Sequence, residues 1–213
     1  MLEASVAVFA KAPMAGYAKT RLIPRLGPEG AAALGARLIE HAVEKAMTAG
    51  LGPVTLWCAP DVRHPLFESL GRREVRLASQ PPGDLGRRML AAFEATAGPV
   101  ILIGTDCPSL EPRDLRDAAT ALAAGADAAI APAEDGGYGL IAAARPIPDL
   151  FADVPWSTDE VAAATRAKAA AAGLRLAELR TVWDVDTPAD WERLALVMPE
   201  LAHGPSASTG HEG

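Results

Sequence analysis

Val100-Ile101-Leu102-Ile103-Gly104-Thr105-Asp106-Cys107-Pro108 decides how the chain folds. The first four residues are β-branched or Leu with nothing polar between them, the composition of a short strand buried on both faces. Such a strand belongs in a mostly parallel sheet covered by helices on each side. Upstream, Ser5–Ala10, Val54–Ala59 and Val75–Ser79 read as further strands. Downstream, Asp127–Ala131, Tyr138–Ala143, Leu174–Leu179 and Val182–Val185 do the same. Helical spacing fills the intervals at Pro28–Ala49, Leu85–Thr96, Pro112–Ala124, Thr158–Ala172 and Pro188–Val197. Gly50, Gly125 and Gly173 stop three of these helices. The alternation predicts one α/β domain over residues 1–198, with a mostly parallel central sheet and helices on both faces. Residues 199–213 are rich in Gly, Ser, Pro and Ala and are expected to be a poorly ordered tail.

Composition narrows the functional classes. The chain has 213 residues, half of them hydrophobic, and a formal net charge of −7. That is enough for a real core and speaks against non-specific binding to nucleic acid or to an anionic membrane. No run approaches the roughly 18–20 apolar residues that a membrane span needs. Residues 1–10 lack a basic segment and a long apolar core, so no secretory signal is expected. The two cysteines, Cys58 and Cys107, have no C-x-x-C spacing, which fits a reducing, cytoplasmic setting and gives no zinc site.

Against that acidic background, Lys11-Ala-Pro-Met-Ala-Gly16-Tyr-Ala-Lys19-Thr20-Arg21 places three cations just after the first strand. In an open α/β sheet, ligands bind at the carboxyl ends of strands, so these cations predict a phosphate site. A basic surface loop is the plain alternative. Neither G-x-G-x-x-G nor a Walker loop is present, so the cations must act through their side chains. Gly83-Asp84-Leu85-Gly86-Arg87-Arg88 is a second anion candidate at a helix start, with solvated arginines as its alternative.

The carboxylates fall in four places. Asp106 follows the central strand, where it can hold a hard cation, or else serve as a turn residue before the next helix. Asp184 and Asp186 are two apart in an extended segment and share a face. Thr187, Pro188 and Asp190 form a helix start, which accounts for Asp190 by itself. Glu134-Asp135-Gly136-Gly137-Tyr138 offers glycines for close ligand approach, although an isolated D-G-G is first of all a hairpin turn. Ser157 and Glu160 match a capping box. Trp156 can stack on a base or sugar, or serve as a core residue. The four histidines show no ligand spacing.

Taken in order, these motifs resemble the bacterial DUF2064 family, described as glycosyltransferases with a nucleotide-diphospho-sugar transferase fold of GT-A type. The matching segments are Phe9-Ala-Lys11-Ala-Pro13, Gly16, Lys19-Thr-Arg21-Leu22, Gly104-Thr-Asp106-Cys-Pro108, Pro132, Asp135-Gly-Gly-Tyr138, Pro155-Trp-Ser-Thr158 and Asp184-Val-Asp-Thr-Pro188. They span residues 5–196. Gly139 departs from the pattern, which has a bulky residue there. The resemblance implies a transferase using a nucleoside diphosphate sugar and a small-molecule acceptor. The alternative on the same fold is a nucleotidyltransferase that joins a nucleoside triphosphate to a small phosphorylated or acidic substrate and releases pyrophosphate. Sugar-acid cytidylyltransferases of this fold hold Mg²⁺ through a strand-end Asp and the Asp of a D-T-P motif. That similarity implies Mg²⁺ or Mn²⁺ on Asp106 and Asp186. For glycosyl transfer, Lys19 and Asp135 are further expected in catalysis, the latter as an acceptor-side acid and general base if the acceptor is a hydroxyl. Lys11, Gly16, Lys19, Thr20, Arg21, Gly136, Gly137, Tyr138 and Trp156 are the implied substrate contacts.

Overall fold

The strand that the sequence makes most apolar takes the middle of the sheet. In the computed structural model, which describes residues 3–204, β4 is Val100–Gly104 and its first four side chains are buried. Ile101 and Ile103 enter one core while Val100 and Leu102 enter the other, as the twofold period of a strand requires. The remaining strands are β1 (Ser5–Lys11), β2 (Val54–Ala59), β3 (Arg76–Ser79), β5 (Ala128–Pro132), β6 (Tyr138–Ala143) and β7 (Leu176–Glu178). They form one seven-stranded sheet in the order β3-β2-β1-β4-β6-β5-β7. Only β6 runs against its neighbours β4 and β5; the other pairings are parallel. The carboxyl ends of β1, β2, β3, β4, β5 and β7 therefore share one edge.

Among the described residues seven α-helices accompany the sheet: α1 (Ile23–Ala49), α2 (Pro65–Gly71), α3 (Leu85–Glu94), α4 (Pro112–Ala123), α5 (Val161–Ala171), α6 (Pro188–Val197) and α7 (Pro199–His203). On one face α1, α2 and α4 bury Val43, Phe67 and Leu115 against Val8, Leu56 and Ile101. On the other, α3 and α5 bury Met89, Phe93 and Ala169 against Leu102, Ile130 and Ile141. Each fully buried large apolar side chain contributes about 1.5–3 kcal/mol. A third cluster joins Leu22, Leu34 and Leu38 to Trp191 and Leu194 of α6, fixing α6 beside the amino-terminal loop.

Several expectations need correction. Val182–Val185 is not a strand: only Val182 pairs, in an isolated bridge to Ala133. The backbone of Trp183 is engaged instead by Ser109, whose Oγ donates to Trp183 O at 3.0 Å and accepts from Trp183 N at 2.9 Å. The helix expected from Thr158 starts at Val161. Ser157, at φ 67°, makes no cap, because it lies three residues ahead of Glu160, the residue that takes the cap position. The α1 helix begins earlier than Pro28, with a break at Gly27 (φ 71°) where the chain bends ahead of that proline. The short α2 was missed because seven residues are too few to show a helical period. The expected tail starts with a helix, α7, because Arg37 donates to Leu201 O and Ala202 O at 2.7 Å each and Ala202 packs into the third cluster. The rest of that tail, residues 205–213, lies outside the described residues.

The cap on α6 forms as the sequence predicts. Thr187 and Asp190 make a capping box, and Asp190 Oδ2 also accepts from Asp186 N at 3.1 Å. Burial pushes the Asp190 carboxyl up, but hydrogen bonds from Thr187 and Asp186 outweigh it and hold the group below the usual carboxylate range. Asp190→Ala is expected to lower stability at pH 7 by about 1 kcal/mol. Since the folded group titrates below the unfolded one, its contribution is full above about pH 4 and disappears as pH falls through the folded value. Urea denaturation of wild type and variant at pH 7 and at pH 3 should show the difference at the first pH and a smaller one at the second.

Candidate active site

The loop after β1 is shaped to bring one lysine indoors. Gly16 takes φ 76°, and Lys19 itself is left-handed (φ 49°, ψ 44°). That conformation costs a residue with a Cβ roughly 1–2 kcal/mol and is kept only where surrounding contacts hold it. Here the holding contacts are the bonds of the ammonium, in a side chain only 8% exposed. Lys19 Nζ pairs with the Asp106 carboxylate, donates to Val185 O at 2.7 Å and lies 3.3 Å from Asp186 Oδ1. Burial pushes this ammonium down, but the charges of Asp106 and Asp186 outweigh it and hold the group above the ordinary lysine value. It is a fixed cation at neutral pH.

Asp106 and Asp186, 80 positions apart, thus meet at one ammonium on the carboxyl edge of the sheet. Arg21 Nη1 flanks the pair, 3.3 Å from Asp186 Oδ2. The two carboxylate segments are also tied through their backbones, with Val185 N donating to Asp106 O at 2.9 Å. Behind Asp106 the loop is anchored three more times. Lys45 donates to Pro108 O, and burial pulls its ammonium down to about 8. Arg180 Nη2 donates to Ser109 O at 2.6 Å, and Arg180 makes a two-pronged pair with the buried Asp114. Ser109 holds Trp183 as described above.

Two cavities open on this seam. The first, about 470 Å³, is lined by Lys11, Lys19, Thr20, Arg21, Arg88 and Gln80 among others. Four cations against Asp106 and Asp186 give it a positive balance. The second, about 580 Å³, has Asp106, Asp135, Asp159, Asp184 and Asp186 with Arg21 as the one cation among the described residues that line it, and an apolar wall that includes Met89, Leu102, Tyr138 and Trp156. Phe9, Arg21, Leu85, Thr105, Asp106 and Asp186 line both. Asp184 is half-buried, and burial followed by the charge of Asp135 raises its carboxyl to about 6.

The structure gathers most of the sequence-derived residues here. Lys11 lies at the mouth of the basic cavity with its Nζ 3.9 Å over the Tyr17 ring. Asp135 Oδ1 accepts from Gly137 N at 2.9 Å, and both residues line the acidic cavity. Tyr138 and Trp156 do too. Gly16 and Gly136 line neither cavity. The reason Gly136 is a glycine is contact with the chain itself: at φ 88°, a Cβ there would lie 2.0 Å from Asp159 O. Of the two arginines in α3, Arg88 lines the basic cavity and Arg87 does not. At the amino end of α3 Asp84 Oδ1 accepts from Arg87 N at 2.8 Å, and Leu85 and Arg88 line the basic cavity.

Gln80, which the sequence did not single out, follows β3 at the same edge. Its Nε2 donates to Ala10 O at 3.2 Å and Trp57 O at 2.9 Å, leaving Oε1 as an acceptor on a fixed amide. Asp159 was passed over as well. The glycine at 139 is explained by its neighbours: a Cβ would lie 2.6 Å from Cys107 Sγ and 2.9 Å from Val182 Cγ2, which fill that space instead.

The family model "Uncharacterized protein conserved in bacteria (DUF2064)" matches residues 29–158. The chain belongs to the DUF2064 family. A crystal structure from Desulfovibrio desulfuricans G20, provisionally assigned as a nucleotide-diphospho-sugar transferase, is 30% identical to this DUF2064 protein. It superposes with a TM-score of 0.80, over 94% of this chain and 88% of that one. CMP:2-keto-3-deoxy-manno-octonic acid synthetase complexed with CTP has a TM-score of 0.62 at 16% identity, over 93% of this chain and 99% of that one. Rv0371c from Mycobacterium tuberculosis H37Rv, solved in complex with manganese, has a TM-score of 0.52 at 19% identity, over 91% and 99%. The last two share the fold. A comparison with curated proteins gives no match. The DUF2064 protein therefore has the fold of nucleotidyl- and nucleotide-sugar transferases, and no helix among its described residues is long and apolar enough to cross a membrane.

Proposed function

We propose that this protein is a metal-dependent glycosyltransferase that takes its nucleoside diphosphate sugar in the basic cavity and its acceptor in the acidic one. The observation that carries the reading is the meeting of two adjoining cavities of opposite charge at Asp106, Asp186 and Arg21. A diphosphate fits the basic side, where Lys11, Lys19, Arg21 and Arg88 offset its charge. The fixed Oε1 of Gln80 would accept a hydrogen bond from a nucleobase N–H. Transfer then consists of attack by an acceptor hydroxyl on the anomeric carbon. The carbon–oxygen bond to the diphosphate breaks, and the diphosphate leaves with the bonding pair. Asp135 would take the proton of the attacking hydroxyl as general base. Lys19 and Arg21 would stabilise charge that builds on the leaving diphosphate.

The donor set suits a hard divalent cation, because both carboxylates are half-exposed oxygen ligands facing the seam. Among the described residues no three His, Cys, Asp or Glu side chains converge on one point. Asp106 and Asp186 would therefore hold Mg²⁺ or Mn²⁺ together with substrate and water oxygens. Such an ion supplies charge neutralisation at the diphosphate when bound. The manganese complex of Rv0371c is consistent with divalent metal use on this fold.

Product analysis separates the two transfer chemistries. Incubated with Mg²⁺ or Mn²⁺ and a panel of nucleotide sugars, the enzyme should release nucleoside diphosphate. Release of pyrophosphate from a nucleoside triphosphate, with no nucleoside diphosphate from any sugar donor, would replace glycosyl with nucleotidyl transfer.

A further inference from the structure

Charge and shape in the acidic cavity identify the kind of acceptor it takes. We propose that the acceptor is a neutral or cationic ring compound rich in hydroxyl or amino donors, and that molecules bearing phosphate or carboxylate are rejected. This rests on the reading above, in which that cavity is the acceptor side.

Asp106 and Asp186 are matched by Lys19 and Arg21. Asp135, Asp159 and Asp184 have no ion-pair partner among the described residues, so the cavity keeps an excess of negative charge away from the seam. In a cleft partly shielded from water an added anion is repelled more strongly than in bulk. Ionised carboxylates only accept hydrogen bonds, so a molecule seated among three of them must supply donors. Ser157 and Thr158 add hydroxyls to the same wall.

The other half of the wall is flat and apolar, and it is fixed in place. Trp156 lies directly on the backbone of α3: a Cβ at Gly86 would be 2.6 Å from Trp156 Nε1 and 2.5 Å from Phe151 O. At the far end of the segment, the bare backbone of Gly136 admits Asp159. The chain from 155 to 159 is thereby pinned between α3 and the β5–β6 turn, and both Trp156 and Asp159 line the cavity. A ring with a C–H face and peripheral O–H or N–H groups satisfies both. A volume of about 580 Å³ lies within the range of small-molecule sites.

Four probes with one ring shape test this on the full chain with saturating nucleoside diphosphate and Mg²⁺: glucose, glucosamine, glucuronate and glucose 6-phosphate. Dissociation constants from NMR titration should place glucose and glucosamine at least tenfold tighter than the two anions. Asp159→Asn, at an exposed position, should reduce the preference for glucosamine over glucuronate, and Trp156→Ala should weaken glucose and glucosamine alike. Equal or tighter binding of glucuronate or glucose 6-phosphate, or binding of none of the four, would overturn the proposal. Affinity for the nucleoside diphosphate alone, measured first, reports on the donor site separately; its failure would sink the donor reading while the probe ranking in nucleotide-free protein still judges the acceptor class.

Discussion

Asp106→Asn and Asp186→Asn are each expected to lower transfer by at least about 100-fold, since loss of a group that merely supports a metal ligand already costs 10–100-fold. Each change removes one of the two negative charges that would attract a divalent cation to the seam, while preserving side-chain size. The fold should tolerate it. In either variant the buried Lys19 ammonium keeps the other carboxylate and Val185 O, so the expected stability cost is about 1–2 kcal/mol, below the roughly 3–5 kcal/mol of leaving a buried charge without a partner. An Asn oxygen still accepts from the ammonium. Steady-state rates at saturating donor and acceptor, beside urea denaturation of the same preparations, should show a large kinetic loss and a small stability change. Wild-type turnover in either variant would remove that carboxylate from the chemistry.

Arg180→Met should have the opposite signature, with a large effect on stability. Arg180 donates from Nε to Asp114 Oδ1 at 2.7 Å and from Nη2 to Asp114 Oδ2 at 2.6 Å, while the Asp114 side chain is 2% exposed. Removing the guanidinium leaves a buried carboxylate whose main remaining bond is from Glu111 N. The expected cost is about 3 kcal/mol, the lower end for breaking a buried pair, because Arg180 itself is partly exposed. Changing Asp114 to Asn as well should recover part of that loss, which a double-mutant cycle in urea would measure. Since Arg180 also holds Ser109 O, the variant should loosen the loop behind Asp106 and lower activity in the protein that remains folded. A stability within about 0.5 kcal/mol of wild type, the range of an ordinary surface change, would contradict this account.

The core of the fold was legible because β4 has no polar residue to confuse its reading and because glycines stop the helices around it. The meeting of Asp106 and Asp186 followed from the resemblance of two motifs; spacing alone could not bring together residues 80 positions apart. The interior role of Lys19 was not legible. It depends on a left-handed lysine, and no Gly or Asn marks that turn. Gln80 was hidden as a single polar residue after a short, half-buried strand. Trp183 looked like strand because it lies between the β-branched Val182 and Val185, yet its backbone partner is Ser109 on the Asp106 loop, a tertiary choice that local pattern cannot express. Ser157 and Glu160 match a capping box in sequence, but the helix starts at Val161 with Glu160 itself at the cap position, three residues past Ser157. Gly139 became intelligible only through Cys107 and Val182, which are distant in the chain and adjacent in space.

A crystal of the protein grown with a nucleoside diphosphate and Mn²⁺, with data collected at the manganese absorption edge, tests the central claim most directly. The account predicts the diphosphate between Lys11, Arg21 and Arg88, and an anomalous peak roughly 2.0–2.6 Å from carboxylate oxygens of both Asp106 and Asp186. A diphosphate bound elsewhere, or bound in the basic cavity with no anomalous peak at that pair, would contradict it.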